Sequence, residues 1–242
     1  MCKINEMLKQ ILNSMYLSAE KQNTRNVCSA LMSTGPHHTL LDVGCWDGKQ
    51  TLVWSKAASA EVALGIEPVK SAAKIAKSLH ILTHEVLADR EKWPIKDNSI
   101  DCIVTNQVVE HLSNLDFFFS ESSRVLKSKG ILIISTNNLS SWHNIFSLFF
   151  GWAPFDLSNA SEIKAGLGNP LSIHHGQNNI WGKSWTHKCI YTSSWLTEWS
   201  GLYGFKKTAS YGAGYYPFPS FIGNLDKTHC ALMTLVYIKN EF

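Results

Sequence analysis

The chain has 242 residues, 45% of them apolar, and a formal charge of +3. That length suits one full α/β domain with a sizeable core, and so weak a charge gives no basic groove, so no nucleic-acid partner is expected. The six cysteines, Cys2, Cys28, Cys45, Cys102, Cys189 and Cys230, are scattered with no CxxC pair. This excludes a disulfide framework and a cysteine zinc site, so reduced thiols, a cytoplasmic location and no bound metal are expected.

No apolar run reaches the roughly 18 residues of a membrane helix. The N-terminal MCKINEMLKQILNSMYL spreads its charges along its length and reads as an amphipathic helix rather than a signal peptide. Short apolar runs then alternate with helical segments, the pattern of a parallel sheet covered by helices. Thr39–Val43 is the first expected strand, with a helix from Gly48 to Ser59. Glu61–Glu67 is the second strand, with a helix from Val69 to Leu79. Thr83–Leu87 and Ile100–Thr105 are the third and fourth strands. Leu115–Leu126 is helical, with Leu115, Phe118, Phe119, Ser122 and Leu126 on one face, and Ile131–Thr136 is a fifth strand. From Asn137 to Thr192 no period is evident, and the composition turns to Trp, Phe, Asn, Gly and His. A segment this long without period suits a functional lid. A helix over Ser193–Tyr203 and two strands, Lys206–Tyr211 and Ala231–Ile238, follow. The last two lie close in sequence with no helix between them, so they are expected to pair antiparallel.

The sum is an α/β fold: a Rossmann-like, seven-stranded, mostly parallel sheet with an antiparallel C-terminal strand and helices on both faces. One domain is expected over 1–242, with an N-terminal helical segment at 1–38 and an acceptor or lid insertion at 137–192.

The strongest chemical signal is Leu40-Leu41-Asp42-Val43-Gly44-Cys45-Trp46-Asp47-Gly48. A buried strand runs into an acid and a glycine-bearing turn that opens a helix. Gly44 permits close approach of a ligand to the backbone, and Gly48 opens the helix without a side chain in the way. Glu67 ends the second strand about twenty residues beyond the turn, where a carboxylate suits a ribose diol. The dinucleotide pattern G-x-G-x-x-G is broken by Trp46, and Asp42 and Asp47 disfavour a pyrophosphate. A cationic ligand without phosphate, such as S-adenosylmethionine, fits better.

These motifs resemble the class I S-adenosylmethionine-dependent methyltransferases, in particular the small-molecule group similar to ubiquinone-biosynthesis methyltransferases. LLDVGCWDG is similar to their first motif and GIEP to their ribose-binding acid. ADREKWPIKDNSID is similar to their adenine-side stretch, NQVVEHL to the segment after the fourth strand, and RVLKSKGILIIST to the helix and fifth strand. The resemblance covers Leu40 to Asn137. It implies that Asp42, Gly44, Cys45 and Gly48 surround the methionine part of the cofactor and that Glu67 binds the ribose hydroxyls. It further implies that Asp89 accepts from the adenine amino group, that Arg90 lies beside the ring through its backbone, and that Asn106 closes the methionine side. Trp46 and Asn137 depart from the family pattern, which has a small residue and often a proline there.

Methyl transfer to a hydroxyl benefits from a general base, most often histidine. His111, His143, His174, His175 and His187 are candidates. His111 follows the fourth strand, where it equally suits a helix cap, and His187, in Trp185-Thr186-His187-Lys188, precedes the last helix. These two are the expected catalytic residues. The aromatics Trp142, Phe146, Phe149, Phe150, Trp152 and Phe155 make 137–192 the expected cover over a small-molecule, glycan or lipid-linked acceptor. A nicotinamide-dependent oxidoreductase and a methyltransferase-like binding protein without activity are the rival readings.

Overall fold

The computed structural model describes residues 2–172, 174–178 and 186–241, with side chains from Gln10 onward. Trp185 and its neighbours in 179–185, within the expected lid, lie outside the described residues. A long helix, α1 (Cys2–Thr34), opens the chain. Then come β1 (Thr39–Val43), α2 (Lys49–Ala58), β2 (Val62–Ile66), α3 (Lys70–Ser78), β3 (Leu82–His84) and β4 (Ile100–Asn106). They are followed by α4 (Leu115–Val125), β5 (Leu126–Asn137), α5 (Trp142–Phe149), α6 (Ser193–Gly201), β6 (Phe205–Ala213) and β7 (Leu232–Lys239). No helix among the described residues is long and apolar enough to cross a membrane.

Seven described strands form one sheet in the order β3-β2-β1-β4-β5-β7-β6, mostly parallel, with antiparallel strands at its C-terminal end. This is the expected Rossmann-like architecture. β1 pairs in parallel with β2 on one side and β4 on the other. The chain therefore reverses its winding direction at β1. In open α/β sheets the crevice at such a reversal, beyond the C-terminal strand ends, is where ligands bind.

The chain divides into two compact units. The larger comprises 27–135, 194–210 and 234–242. Its core is apolar: Leu40, Leu41 and Val43 of β1, Ile66 of β2, Ile103 and Val104 of β4, and Leu132, Ile133 and Ile134 of β5 are buried. Such unbroken runs are what strands covered on both faces require. α4 is capped by Asn114, whose side chain accepts from the Phe117 amide at 3.0 Å, and it buries Leu115, Phe118, Phe119, Ser122 and Val125. Arg124, at the end of α4, donates to Glu121 at 2.6 Å and to the carbonyls of Trp93 (3.0 Å) and Ile95 (2.8 Å).

The smaller unit comprises 1–26, 136–193 and 211–233. Asparagines hold much of it. Asn138 donates to the carbonyls of Thr228 and Cys230, both at 2.8 Å, and Asn26 donates to that of Gly212 at 3.0 Å. Asn169 donates to the Ser147 hydroxyl and the Ala153 carbonyl.

β3 is Leu82–His84 where Thr83–Leu87 is expected, and the structure departs further from the sequence expectation in two places. β5 begins at Leu126, not Ile131, and its register against β4 shifts between Ile100 and Cys102. Exposed Lys129 with a φ of 60° and Gly130 read as a turn but lie inside this irregular strand. The second departure is α5, in the stretch without evident period. It buries polar Asn144 and Ser147 and exposes Ile145, Phe146, Leu148 and Phe149, the reverse of the pattern that reveals a helix in sequence.

Candidate cofactor and active site

The glycine turn and Glu67 meet at the C-terminal ends of β1 and β2. The amides of Gly44 and Cys45 both donate to the Ile66 carbonyl, at 2.8 and 3.2 Å. Gly44 has a φ of 83°, and a Cβ there would lie 2.3 Å from Val108 Cγ2. Only glycine meets both demands. Gly48 has a φ of 79° and stands at the N-terminus of α2, where a Cβ would lie 2.5 Å from Ile81 Cδ1 and 3.0 Å from Ala76 Cα. It serves close packing of the turn on α3 as well as the opening of α2. Cys45 is buried among Ala76 and Ile81, so its thiol packs in the core. Burial pushes that thiol well above its ordinary pKa.

Glu67 closes the turn. Its Oε2 accepts from the Trp46 amide at 3.0 Å and its Oε1 from the Val69 amide at 2.8 Å. Each oxygen keeps a further lone-pair direction, as a carboxylate has about four. Burial raises the Glu67 pKa, and the two amides oppose that. Trp46, the departure from the family pattern, has a φ of 46° and leaves its ring 42% exposed. The backbone path thus tolerates the large residue by turning it outward. Asp42 is buried in β1 and accepts from the Thr51 hydroxyl at 2.7 Å. Burial raises its pKa to about 7, with the Thr51 bond opposing and the Glu67 charge adding to the rise.

Asp89 is buried in the loop after β3. Its oxygens accept from Arg90 Nε at 3.0 Å and Arg90 Nη2 at 3.1 Å, and from the Ser113 amide at 2.8 Å. Burial would raise its pKa, but Arg90 and Ser113 outweigh it and hold the group below the usual range. Arg90 spends its guanidinium on this fork, and its amide donates to the Leu87 carbonyl. Asn106 ends β4, half-buried and opposite Ser135 of β5. His111 closes a 3-10 turn, Val109–His111, its amide donating to the Val108 carbonyl at 2.8 Å.

Thr105 and Gln107, which flank Asn106, have no role marked by a motif in the sequence. Gln107 has a φ of 56°, and its amide donates to the Ser135 carbonyl at 2.8 Å. Its Nε2 and the Thr105 Oγ1 are buried without a hydrogen-bond partner among the described residues. Non-glycine residues in the left-handed region cluster at functional sites, and a buried orphan donor calls for a ligand. The signal available in sequence was position alone, at the C-terminal end of a central strand.

His187 belongs to the smaller unit. It is half-buried, and its Nδ1 is hydrogen-bonded to the Asp156 carbonyl. Burial lowers its pKa, with Asp156 opposing. His143 lies 3.2 Å from Asp156 Oδ2, and His175 Nδ1 is 2.7 Å from the Gly166 carbonyl. His174 is 3.3 Å from Gln177 Oε1.

Residues 41–134 match the family of the methyltransferase domain. This stretch is similar to a methyltransferase domain. The chain is 29% identical over 119 residues to the ubiquinone biosynthesis O-methyltransferase of Pelagibacter ubique, covering 45% of this chain and 46% of that one. It is 29% identical over 115 residues to the malonyl-[acyl-carrier protein] O-methyltransferase of Serratia marcescens, covering 46% and 44%. The chain thus spans under half the length of these curated relatives. A solved structure of a possible histamine N-methyltransferase from Thermotoga maritima shares the fold, with a TM-score of 0.59 at 14% identity, over 98% of this chain and 97% of that one. The resemblance read in the motifs from Leu40 to Asn137 is borne out.

Proposed function

We propose that this chain is a methyltransferase that uses S-adenosylmethionine to methylate an oxygen of a small-molecule, glycan or lipid-linked acceptor. The observation that carries the reading is the Glu67 carboxylate, bound to the glycine turn at the point where the sheet reverses direction. The surroundings fit the cofactor's chemistry. Asp42 and Glu67 suit a ribose diol and a cation, and disfavour a pyrophosphate. Gln107 Nε2 is a donor for a carboxylate, and Thr105 Oγ1 can donate or accept. Asp89 keeps acceptor capacity for an adenine amino group beyond its bonds to Arg90 and Ser113. Asn106, Gly44, Cys45 and Gly48 line the methionine side, with Cys45 acting through its backbone. The two curated relatives are both named O-methyltransferases, which favours oxygen as the methylated atom.

When bound, S-adenosylmethionine would supply an activated methyl group on a sulfonium. The protein's work is to hold the two reactants in line and to exclude water. His187 takes the proton of an acceptor hydroxyl as the O–C bond forms and passes it to water afterwards. Its lowered pKa keeps it neutral, and so basic, at pH 7. His111 is the second candidate for this role.

The test is an acceptor screen that follows S-adenosylhomocysteine release, with phenols, aliphatic alcohols, carboxylates and amines as probes. Turnover with hydroxyl acceptors is expected, and His187→Gln should slow it by tenfold or more while sparing any acceptor already ionised. Turnover confined to nitrogen acceptors overturns the oxygen assignment. Full activity of His187→Gln with hydroxyl acceptors removes His187 as the base.

A further inference from the structure

The inside-out helix α5 points to a task for its buried polar face. Asn144 Nδ2 donates to Asp156 Oδ2 at 2.6 Å and to the Asn138 carbonyl at 3.0 Å, while Asn144 Oδ1 accepts from the Asp156 amide at 3.4 Å. His143, one residue earlier, lies against the same carboxylate oxygen and 3.3 Å from the Ser141 hydroxyl. Asp156 sits at the centre of a 3-10 turn, Phe155–Leu157. Both its side chain and its amide are therefore tied to the first turn of α5. The Asp156 carbonyl in turn accepts from His187 Nδ1.

We propose that Asp156 is the positioning residue for His187. Its carbonyl fixes the imidazole as the Nδ1–H tautomer, which puts the lone pair on Nε2, and the α5 clasp on its carboxylate fixes the carbonyl. This deepens the reading of His187 as the base and rests on it for its catalytic meaning. A histidine base works only with its lone pair on the nitrogen that faces the proton, and the bond made by the other nitrogen decides which one that is. Here that other bond goes to a main-chain carbonyl whose residue is held on both sides by one helix turn. The Asp156 carboxylate lies near the same ring. It stays ionised, because His143 and Asn144 outweigh the effect of its burial. An ionised group there stabilises the imidazolium that forms when His187 takes a proton. The arrangement is the base-and-orienter logic of nucleophile-activating triads, with a peptide carbonyl in contact with the ring and the carboxylate one step behind it.

The clasp also accounts for α5. Its buried side chains are asparagine and serine because they hold the Asp156 turn and the Asn169 loop, which leaves the apolar side chains on the outer face.

The experiment is nitrogen-15 NMR of histidine-labelled full-length protein near pH 8, with the His187 signal identified by its loss in His187→Gln. The wild type should show His187 at least tenfold in favour of the Nδ1–H tautomer. Asp156→Asn and Asn144→Ala, each with a melting temperature recorded, should bring the two tautomers to within about threefold of each other. If Asp156→Asn fails to fold, Asn144→Ala carries the comparison, since it leaves the carboxylate in place. A wild type in the Nε2–H form, or folded variants with an unchanged tautomer, overturns the proposal. Turnover is read separately. A shifted tautomer in the variants together with full activity of His187→Gln would leave the positioning intact and remove only the base assignment.

Discussion

Glu67 and Trp46 are joined by a hydrogen bond, from the Trp46 amide to Glu67 Oε2 at 3.0 Å, that ties the end of one strand to the turn after its neighbour. The carboxylate proposed to hold a ribose is thus oriented by the loop proposed to hold the rest of the cofactor. Glu67→Ala removes the ligand's partner and the brace of the loop together. Losing a charged hydrogen-bonding partner costs about 1.5–3 kcal/mol. S-adenosylhomocysteine affinity, read by calorimetry, should fall by about tenfold or more. Glu67→Gln, which keeps one acceptor oxygen, should fall less.

Gly44→Ala should damage both stability and cofactor binding. The new Cβ meets Val108 Cγ2 at 2.3 Å, and the φ of 83° disfavours any side chain. The left-handed conformation alone costs roughly 1–2 kcal/mol in a non-glycine residue. Gly44→Ala with Val108→Ala should recover the part due to the clash and leave the part due to φ. Thermal melts of the two single variants and the double variant give that partition. A Gly44→Ala single variant that melts and binds like the wild type would refute the tight turn.

Asp42 makes the protein's response to pH specific. Its folded-state pKa of about 7 lies above the ordinary 3.8. Between those values the folded chain holds a proton that the unfolded chain has released. Stability therefore falls as pH rises through this window and levels off above about 7. Asp42→Asn should flatten that slope in denaturant titrations. The ionised carboxylate also favours a cation. Affinity for S-adenosylmethionine should rise through pH 7 more steeply than affinity for S-adenosylhomocysteine, which lacks the sulfonium. Parallel pH profiles for the two ligands would contradict this.

The fold was legible where burial and period agree. β1 has the ends expected of it, and the apolar face expected for α4 is buried. The Asp42, Gly44 and Glu67 cluster was legible because a glycine turn and an acid at the next strand end have few other uses together. Gln107 and Thr105 were not, since their orphan atoms exist only once β4 is placed beside β1. Nothing in the sequence shows that Arg90, the neighbour of Asp89, folds back on its carboxylate. α5 escaped notice because it is inside out, and a helix held by Asn144 and Ser147 carries no apolar stripe facing inward.

Arg124 should prove structural. It satisfies Glu121 and two backbone carbonyls, and the Glu121 side chain is 9% exposed. Arg124→Met leaves that carboxylate without its charged partner, a loss of about 2–3 kcal/mol. Urea melts should show it, with cofactor affinity per folded molecule unchanged. A variant as stable as the wild type would show that solvent replaces the fork.

Trp142 and Phe149 separate packing from cover in segment 137–192. Trp142 donates to the Tyr215 hydroxyl at 2.8 Å and stacks on His229 at 4.3 Å between ring centroids. Phe149 is 83% exposed. Trp142→Ala should therefore lower stability, while Phe149→Ala should leave stability and cofactor affinity alone and reduce turnover of the acceptor. Unchanged turnover in Phe149→Ala would leave the exposed aromatics without a part in covering the acceptor.

The most direct measurement is isothermal titration of the wild-type protein with S-adenosylmethionine, with S-adenosylhomocysteine and with NAD. One site per chain is expected for each of the first two, weakened about tenfold or more by Glu67→Ala, and no binding of NAD. Binding of NAD in preference to S-adenosylmethionine, or affinity for S-adenosylmethionine that ignores Glu67, would contradict the account.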